Sequence, residues 1–422
     1  MSHLNFTAVF SKANSLIWIV IYTKAIKRVS NKMGAKICMK ILSYLISIIK
    51  PVILNQITKN PWKTVIILTL IGITPLFAQE AGVEKYHSKT VVLPFASYTP
   101  ETRLMFGGLL MYQFKPRAAG IETRASQILS SGIYTLNHQL IFEFLPNVIL
   151  PQEQWLLDGT YQYAFFPNNY WGIGAYTLDD DKVNVEYRRI NFQQTVLRKI
   201  ASKFYAGPIL RWSRLSAVEF TDQNDDQIPT DMIKGGNGSS LSGIGFTIRW
   251  DKRNSITYPT ENHYLDLSTL FYPEILGTTH PHLSWQLDGR KYMDLKNDKN
   301  SVLAFHFRLR MTTGELPFQE YSLLGGREIL RGYFEGRFRD ANAAQVQAEF
   351  RQHLYKRFGL AVFIGAGEVW NKFEHFNLDN PKYAGGMGLR FNLNPEDRSN
   401  IRIDYGIGKH DRGLYITIGE AF

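Results

Sequence analysis

From residue 100 onward, apolar and polar side chains alternate with a period of two. That is the spacing of strands that show one face to each of two environments. In 345–354 the residues Gln345, Gln347, Glu349, Arg351 and His353 share one face, while Val346, Ala348, Phe350 and Leu354 share the other. Leu303, Phe305, Phe307, Leu309 and Met311 oppose Ala304, His306, Arg308 and Arg310. Leu283, Trp285 and Leu287 oppose Ser284, Gln286, Asp288 and Arg290, and Ile244, Phe246, Ile248 and Trp250 oppose Gly243, Gly245, Thr247, Arg249 and Asp251. The pattern predicts about sixteen strands, the first near 102–115, one near 170–178 and the last near 413–422. The connections alternate in length. Short turns at 355–358, 295–300, 200–202 and 166–169 mark one end, and long polar segments at 219–239, 314–342 and 371–381 mark the other.

A soluble sandwich also alternates. Here, though, the polar faces mix Gly, Gln, Arg and Asp with little mid-strand Lys, and the apolar faces carry Leu, Phe and Trp. That is how a lipid-facing band and a polar lumen are written. No uninterrupted apolar run after residue 80 reaches the roughly 18 residues of a spanning helix. A membrane-borne body must then be a closed barrel, because open edges leave backbone groups unpaired in lipid. The even strand number and the 14% aromatic content fit this class. The expected fold is all-β: a transmembrane antiparallel barrel over 100–422 with an inward-folded long outer loop, in one domain.

Charge changes the picture little. Much of the formal net charge of +11 sits in the first 63 residues, which contain no Asp or Glu, so no nucleic-acid role is expected. Lys59, Lys63 and the apolar run Thr64–Ala78 read as the charged and hydrophobic regions of a signal peptide, with cleavage after Ala78. Residues 1–78 are thus expected to be leader; a misassigned start, with Met33 or Met39 as the true initiator, accounts for 1–58. Residues 79–99 are expected to be a short periplasmic segment. The single cysteine, Cys38, lies in the leader, which excludes thiol chemistry and disulfides in the body.

Catalysis has little support: no Ser is tied by motif to His410-Asp411, and His280 and His282 lack a third ligand at metal spacing. No enzyme, cofactor or metal is expected. The inward cluster His306, Arg308, Arg310, Asp288 and Arg290 reads either as a wet lumen lining or as a site for an anionic solute.

The stretch Leu324-Gly325-Gly326-Arg327-Glu328-Ile329-Leu330-Arg331-Gly332-Tyr333 lies in the longest well-supported outer loop and is neither polar nor of low complexity. It resembles the (V/L)RG(F/Y) loop signature of the BamA/TamA superfamily of outer-membrane insertases and translocases, the bacterial surface antigen type. Two further segments agree. Trp250-Asp251-Lys252-Arg253-Asn254 with Tyr258-Pro259 resembles the family's D-x-R…P turn, and Asp411 to Phe422 resembles its closing strand. The resemblance implies that Arg331 anchors the loop inside the barrel, with Gly332 for close backbone approach and Tyr333 for packing, and that Glu349 is its acidic partner. The family's second acid falls at Gly365, so the implied clamp is half kept. Gly413, Ile416, Ile418 and Phe422 carry the pattern of the C-terminal signal read by the barrel-assembly machinery.

A barrel-only member is expected in the bacterial outer membrane, without the family's periplasmic POTRA domains. Its partners are then outer-membrane lipids, the assembly machinery, and a client or periplasmic partner protein. The implied function is insertion or translocation of a client at a seam between the first and last strands. The alternative is a passive or solute-selective pore, suggested by the polar lumen.

Overall fold

The structure is a computed structural model that describes residues 88–422 except 117–118, 120–122, 378, 380 and 395–397. The expected leader, 1–78, and the start of the 79–99 segment lie outside the described residues. Sixteen strands close into one antiparallel barrel. They are β1 (Lys89–Thr99), β2 (Arg103–Phe114), β3 (Ser126–Thr135), β4 (Leu140–Ile149), β5 (Trp155–Phe165), β6 (Val183–Ala201), β7 (Phe204–Thr221) and β8 (Ser239–Asp251). The second half is β9 (Asn262–Tyr272), β10 (His282–Asp294), β11 (Ser301–Gly314), β12 (Asn342–Tyr355), β13 (Phe358–Trp370), β14 (Lys382–Asn394), β15 (Ser399–Ile407) and β16 (Arg412–Ile418).

The core is inverted relative to a soluble protein. Ile244, Phe246, Trp285, Val346 and Ile364 are half exposed on the outside, whereas Gln345, Gln347, Glu349 and Arg351 are buried on the inside. This sorting is what lipid on one side and a packed polar lumen on the other require.

Two expectations about strands are corrected. Residues 89–99 are not a periplasmic segment but the first barrel strand, paired along its length with β2 from Lys89↔Gln113 to Thr99↔Arg103. Val91-Val92-Leu93-Pro94 does not alternate, which hid it. Pro94 also argues for an edge, since proline cannot donate to a ladder. Conversely, 170–178 is not a strand. Asn168–Tyr170 forms a short ladder beside the start of β6, and then Gly172 (φ 80) and Gly174 (φ 124) turn the chain away. Gly174 bridges to Arg339 of the long loop, so 166–182 belongs to the long-loop end and not among the short turns. One strand is lost and one gained, and the number sixteen survives.

The closure is uneven. β15 and β16 share seven register pairs, from Ile401↔Ile418 to Ile407↔Arg412. β1 and β16 share one, Tyr98↔Ile416, supported by Ser97 Oγ donating to the Ile416 carbonyl at 2.5 Å. The expected terminal strand, 413–422, is also shorter. β16 stops at Ile418, Gly419 turns with φ 87, and the chain enters the lumen.

Candidate functional site

The connection between β11 and β12, residues 315–341, folds back into the barrel. Leu324, Ile329, Leu330 and Arg331 are completely buried. Its entry is held by Glu320, which pairs with Arg211 of β7 (2.8 Å) and Arg310 of β11 (3.0 Å). Phe318 beside it packs with Tyr170, Val185, Tyr187, Leu215 and Phe220. Burial alone raises the Glu320 carboxyl; Arg211 and Arg310 overcome that and bring it down to about 2. A depressed acid stabilises the folded state above its ordinary range and loses that contribution as pH falls toward the folded value. Acidification from pH 4.5 to about 2 is therefore expected to loosen the loop entry. Pepsin cleavage within 315–341 should rise over that interval in the native chain and start high in Glu320→Gln.

Further along, the loop runs beside the polar face of β12. Gln345 receives the Gly325 amide at 3.0 Å and donates to the Leu323 carbonyl at 3.0 Å, and Gln347 donates to the Glu328 carbonyl at 3.3 Å. Glu328 pairs with Arg308 at 2.7 Å. The inward cluster anticipated as a lumen lining or solute site is thus engaged by the protein itself. Arg290 pairs with Asp288 at 2.7 Å, His306 faces Asp288 at 3.3 Å, and Arg308 and Arg310 hold the loop.

At the loop tip, the guanidinium of Arg331 forks between two carboxylates, Glu349 on β12 and Asp404 on β15. It also lies over the Phe363 ring, 3.6 Å from its centre. Behind it stand three more buried arginines. Arg351 reaches Glu349 (2.6 Å), Arg390 reaches Asp404 (2.5 Å) and Glu420 (2.9 Å), and Arg402 reaches Asp404 (2.9 Å). Four cations thus face three side-chain acids with very little exposure to solvent. Arg suits this role because its planar fork serves two acceptors at once.

Gly332 and Tyr333 complete the seat. Gly332 has φ 125, and a β-carbon there would lie 2.8 Å from the Ile407 backbone. The opposing Gly406 is equally tight, 2.5 Å from the Arg331 carbonyl. Tyr333 covers Gly408, and its hydroxyl accepts the Lys409 amide at 3.0 Å. Gly332→Ala meets both strain and collision, and should unseat the tip while leaving the strands paired. Trypsin cleavage at Arg327 or Arg331, with unchanged circular dichroism, is the expected signature.

The second acid of the clamp was not foreseen. An ideal β-carbon at Gly365, where the resemblance would place it, sits 3.2 Å from Leu330 Cδ1, so the loop's own leucine fills that space. Glu368, on the opposite face, pairs with Lys382 at 3.2 Å. Asp404 supplies the charge from another strand. The one available signal was the polar face Asn400, Arg402, Asp404 of β15.

Of the four residues expected in the C-terminal signal, Ile416 and Ile418 lie on the outer face of β16 and Gly413 on the inner one. Phe422 lies inside the barrel. Its ring is 4.9 Å from His306 and 6.2 Å from Tyr292, and its carbonyl accepts from Arg351 at 3.0 Å. At the D-x-R turn, Arg253 grips Asp251 through two bonds of 2.9 Å. No cluster of His, Cys, Asp or Glu suited to a metal ion occurs among the described residues.

A closed sixteen-strand barrel with an apolar exterior and its longest outer loop clamped to a charged inner wall defines an outer-membrane protein of the insertase and translocase type. Residues 134–422 match the Omp85 superfamily domain, and the chain belongs to that superfamily. Among solved structures, it resembles BamA from Haemophilus ducreyi lacking POTRA domains 1–3, at TM-score 0.54 and 11% identity, over 79% of this chain and 70% of that one. It also resembles CdiB from Escherichia coli, at TM-score 0.50 and 10% identity, over 80% of this chain and 63% of that one. At such identities the likeness is one of fold, and the chain spans less than two thirds of the CdiB chain. No curated protein matches it in sequence.

Proposed function

We propose that this barrel assists insertion or translocation of a client protein at the seam between β1 and β16. The observation that carries the reading is the single register pair there, against seven in the neighbouring ladder. An edge short of partners receives an incoming strand through backbone hydrogen bonds.

The loop supports the same reading from the other side. The Phe334 amide donates to Asp411 in the β15–β16 turn at 2.8 Å, and the Glu335 amide donates to Glu101 in the β1–β2 turn at 2.8 Å. Two consecutive loop amides therefore reach the two hairpins that flank the seam. Arg331, Gly332, Tyr333 and Glu349 act in this proposal as the anchor that keeps those amides in place. A buried loop in the lumen weighs against a freely open pore.

The C-terminal signal fits an earlier stage. Phe422 is inside the finished barrel, so recognition of Gly413, Ile416, Ile418 and Phe422 by the assembly machinery takes place before closure. A client or a periplasmic partner completes the set of interactions.

The test is site-specific photocrosslinking in cells. A photoreactive residue at Leu93 of β1, which is 46% exposed, is expected to capture client polypeptide; one at Trp285 on the far wall, 50% exposed, is not. Equal capture at both positions refutes the seam as the working edge.

A further inference from the structure

At the mouth of the barrel that faces the periplasm, on the opposite end from the long loop, is a cavity of about 170 Å3. Its lining comes from the ends of β12 and β14, the β12–β13 turn and the start of β15, with Tyr258 at one side. Five cations line it: Arg351, Lys356, Arg357, Arg390 and Arg398. Arg351 and Arg390 are 1% and 4% exposed, and each keeps one nitrogen without a hydrogen-bond acceptor: Arg351 Nη1, and Arg390 Nη2, which lies 3.6 Å from Glu349 Oε1 as an ion pair. Leaving a buried charged donor unmet is costly.

The neighbouring acids are already engaged. Glu349 binds Arg351 through Oε1 at 2.6 Å, and Glu420 accepts from Arg390 at 2.9 Å and from Asn400 at 2.6 Å. Lys356 and Arg357 are exposed at the rim and form no ion pair among the described residues. Glu396 and Asp397 precede Arg398 in the chain and lie outside the described residues.

Buried donors without a hydrogen-bond acceptor, a cavity and exposed cations at its entrance together describe a receptor for an oxyanion. We propose that this cavity binds a phosphate-class group entering from the periplasmic side, separately from the seam. Cations line it from β12, from the β12–β13 turn, from β14 and from Arg398, whose Nη1 also donates to the Lys299 carbonyl. That arrangement favours a tetrahedral group with several acceptor oxygens over a single planar carboxylate. The two sources of such a group are dissolved phosphate and the headgroup of an anionic phospholipid.

The test is calorimetric titration of inorganic phosphate into the full-length protein in neutral detergent, at constant ionic strength. Saturable binding near one per chain is expected. It should weaken roughly tenfold or more in the triple variant Lys356→Gln, Arg357→Gln, Arg398→Gln, since each rim cation contributes modestly and the three act together. These positions lie outside the Arg331 clamp, and unheated gel mobility checks that the variant remains a folded barrel. Repeating the titration in phosphatidylglycerol nanodiscs distinguishes the sources. Unchanged affinity assigns the site to dissolved phosphate, and competition that disappears in the triple variant assigns it to the lipid headgroup. Absence of saturable binding in the native protein, unchanged binding in the triple variant, or tighter binding of an acidic peptide than of phosphate overturns the proposal.

Discussion

Glu349→Gln is expected to destabilise the barrel more than Arg331→Ala, although Arg331 is the signature residue. The buried wall holds four guanidinium groups, Arg331, Arg351, Arg390 and Arg402, against the carboxylates of Glu349, Asp404 and Glu420. Removing Arg331 leaves three cations with three acids, and neither of its partners is orphaned. Glu349 keeps Arg351 at 2.6 Å, and Asp404 keeps Arg390 at 2.5 Å and Arg402 at 2.9 Å. Neutralising Glu349 leaves four cations facing two side-chain acids, with little solvent to screen them. Removing one partner from a buried pair in this way costs about 3–5 kcal/mol. The unheated, compact gel form of Glu349→Gln should convert at a markedly lower temperature than the native protein. Arg331→Ala should shift little in that assay but lose activity, because the loop tip loses both carboxylates. In planar bilayers it should also pass larger currents than the native chain. Arg331→Lys should not restore the native state, since a single ammonium cannot reproduce a fork to two strands. Equal melting of Glu349→Gln and the native barrel would show that the wall does not depend on its charge balance.

Locking the seam is the second large effect. Tyr98 and Ile416 are the paired residues of β1 and β16. Directly opposed residues of an antiparallel ladder lie about 4.5–5.5 Å apart at Cα, within reach of a disulfide. The only native cysteine is Cys38, so Tyr98→Cys with Ile416→Cys gives a body whose two thiols are both at the seam. Oxidation is expected to abolish client handling while leaving the barrel folded, and a reductant to restore it. A matched pair on the β15–β16 ladder, Tyr405→Cys with Leu414→Cys, should have no such effect, because that ladder is already held by seven pairs. Full activity of the oxidised seam variant would exclude opening between β1 and β16.

Several parts of this architecture were legible along the chain. Alternation in 345–354 places Glu349 and Arg351 inward and Val346 and Phe350 outward, and the structure buries and exposes them accordingly. The Arg331 loop stood out by its composition. The first strand did not, because Val91 to Pro94 lack alternation. The outer-loop run at 170–178 imitated a strand until Gly172 and Gly174 are seen to turn it.

What the chain determines by itself is therefore the side each residue faces, since side-chain direction follows from backbone period and polarity selects the solvent. Only the tertiary structure decides which inward residues meet. Asp404 lies 73 positions from Arg331 and reaches it because closure brings β15 beside the folded-in loop. The single pair at the seam, the inward turn of Phe422 and the unmet donors of Arg351 and Arg390 have the same origin. They depend on distances across a shut cylinder, and a one-dimensional pattern carries no measure of those.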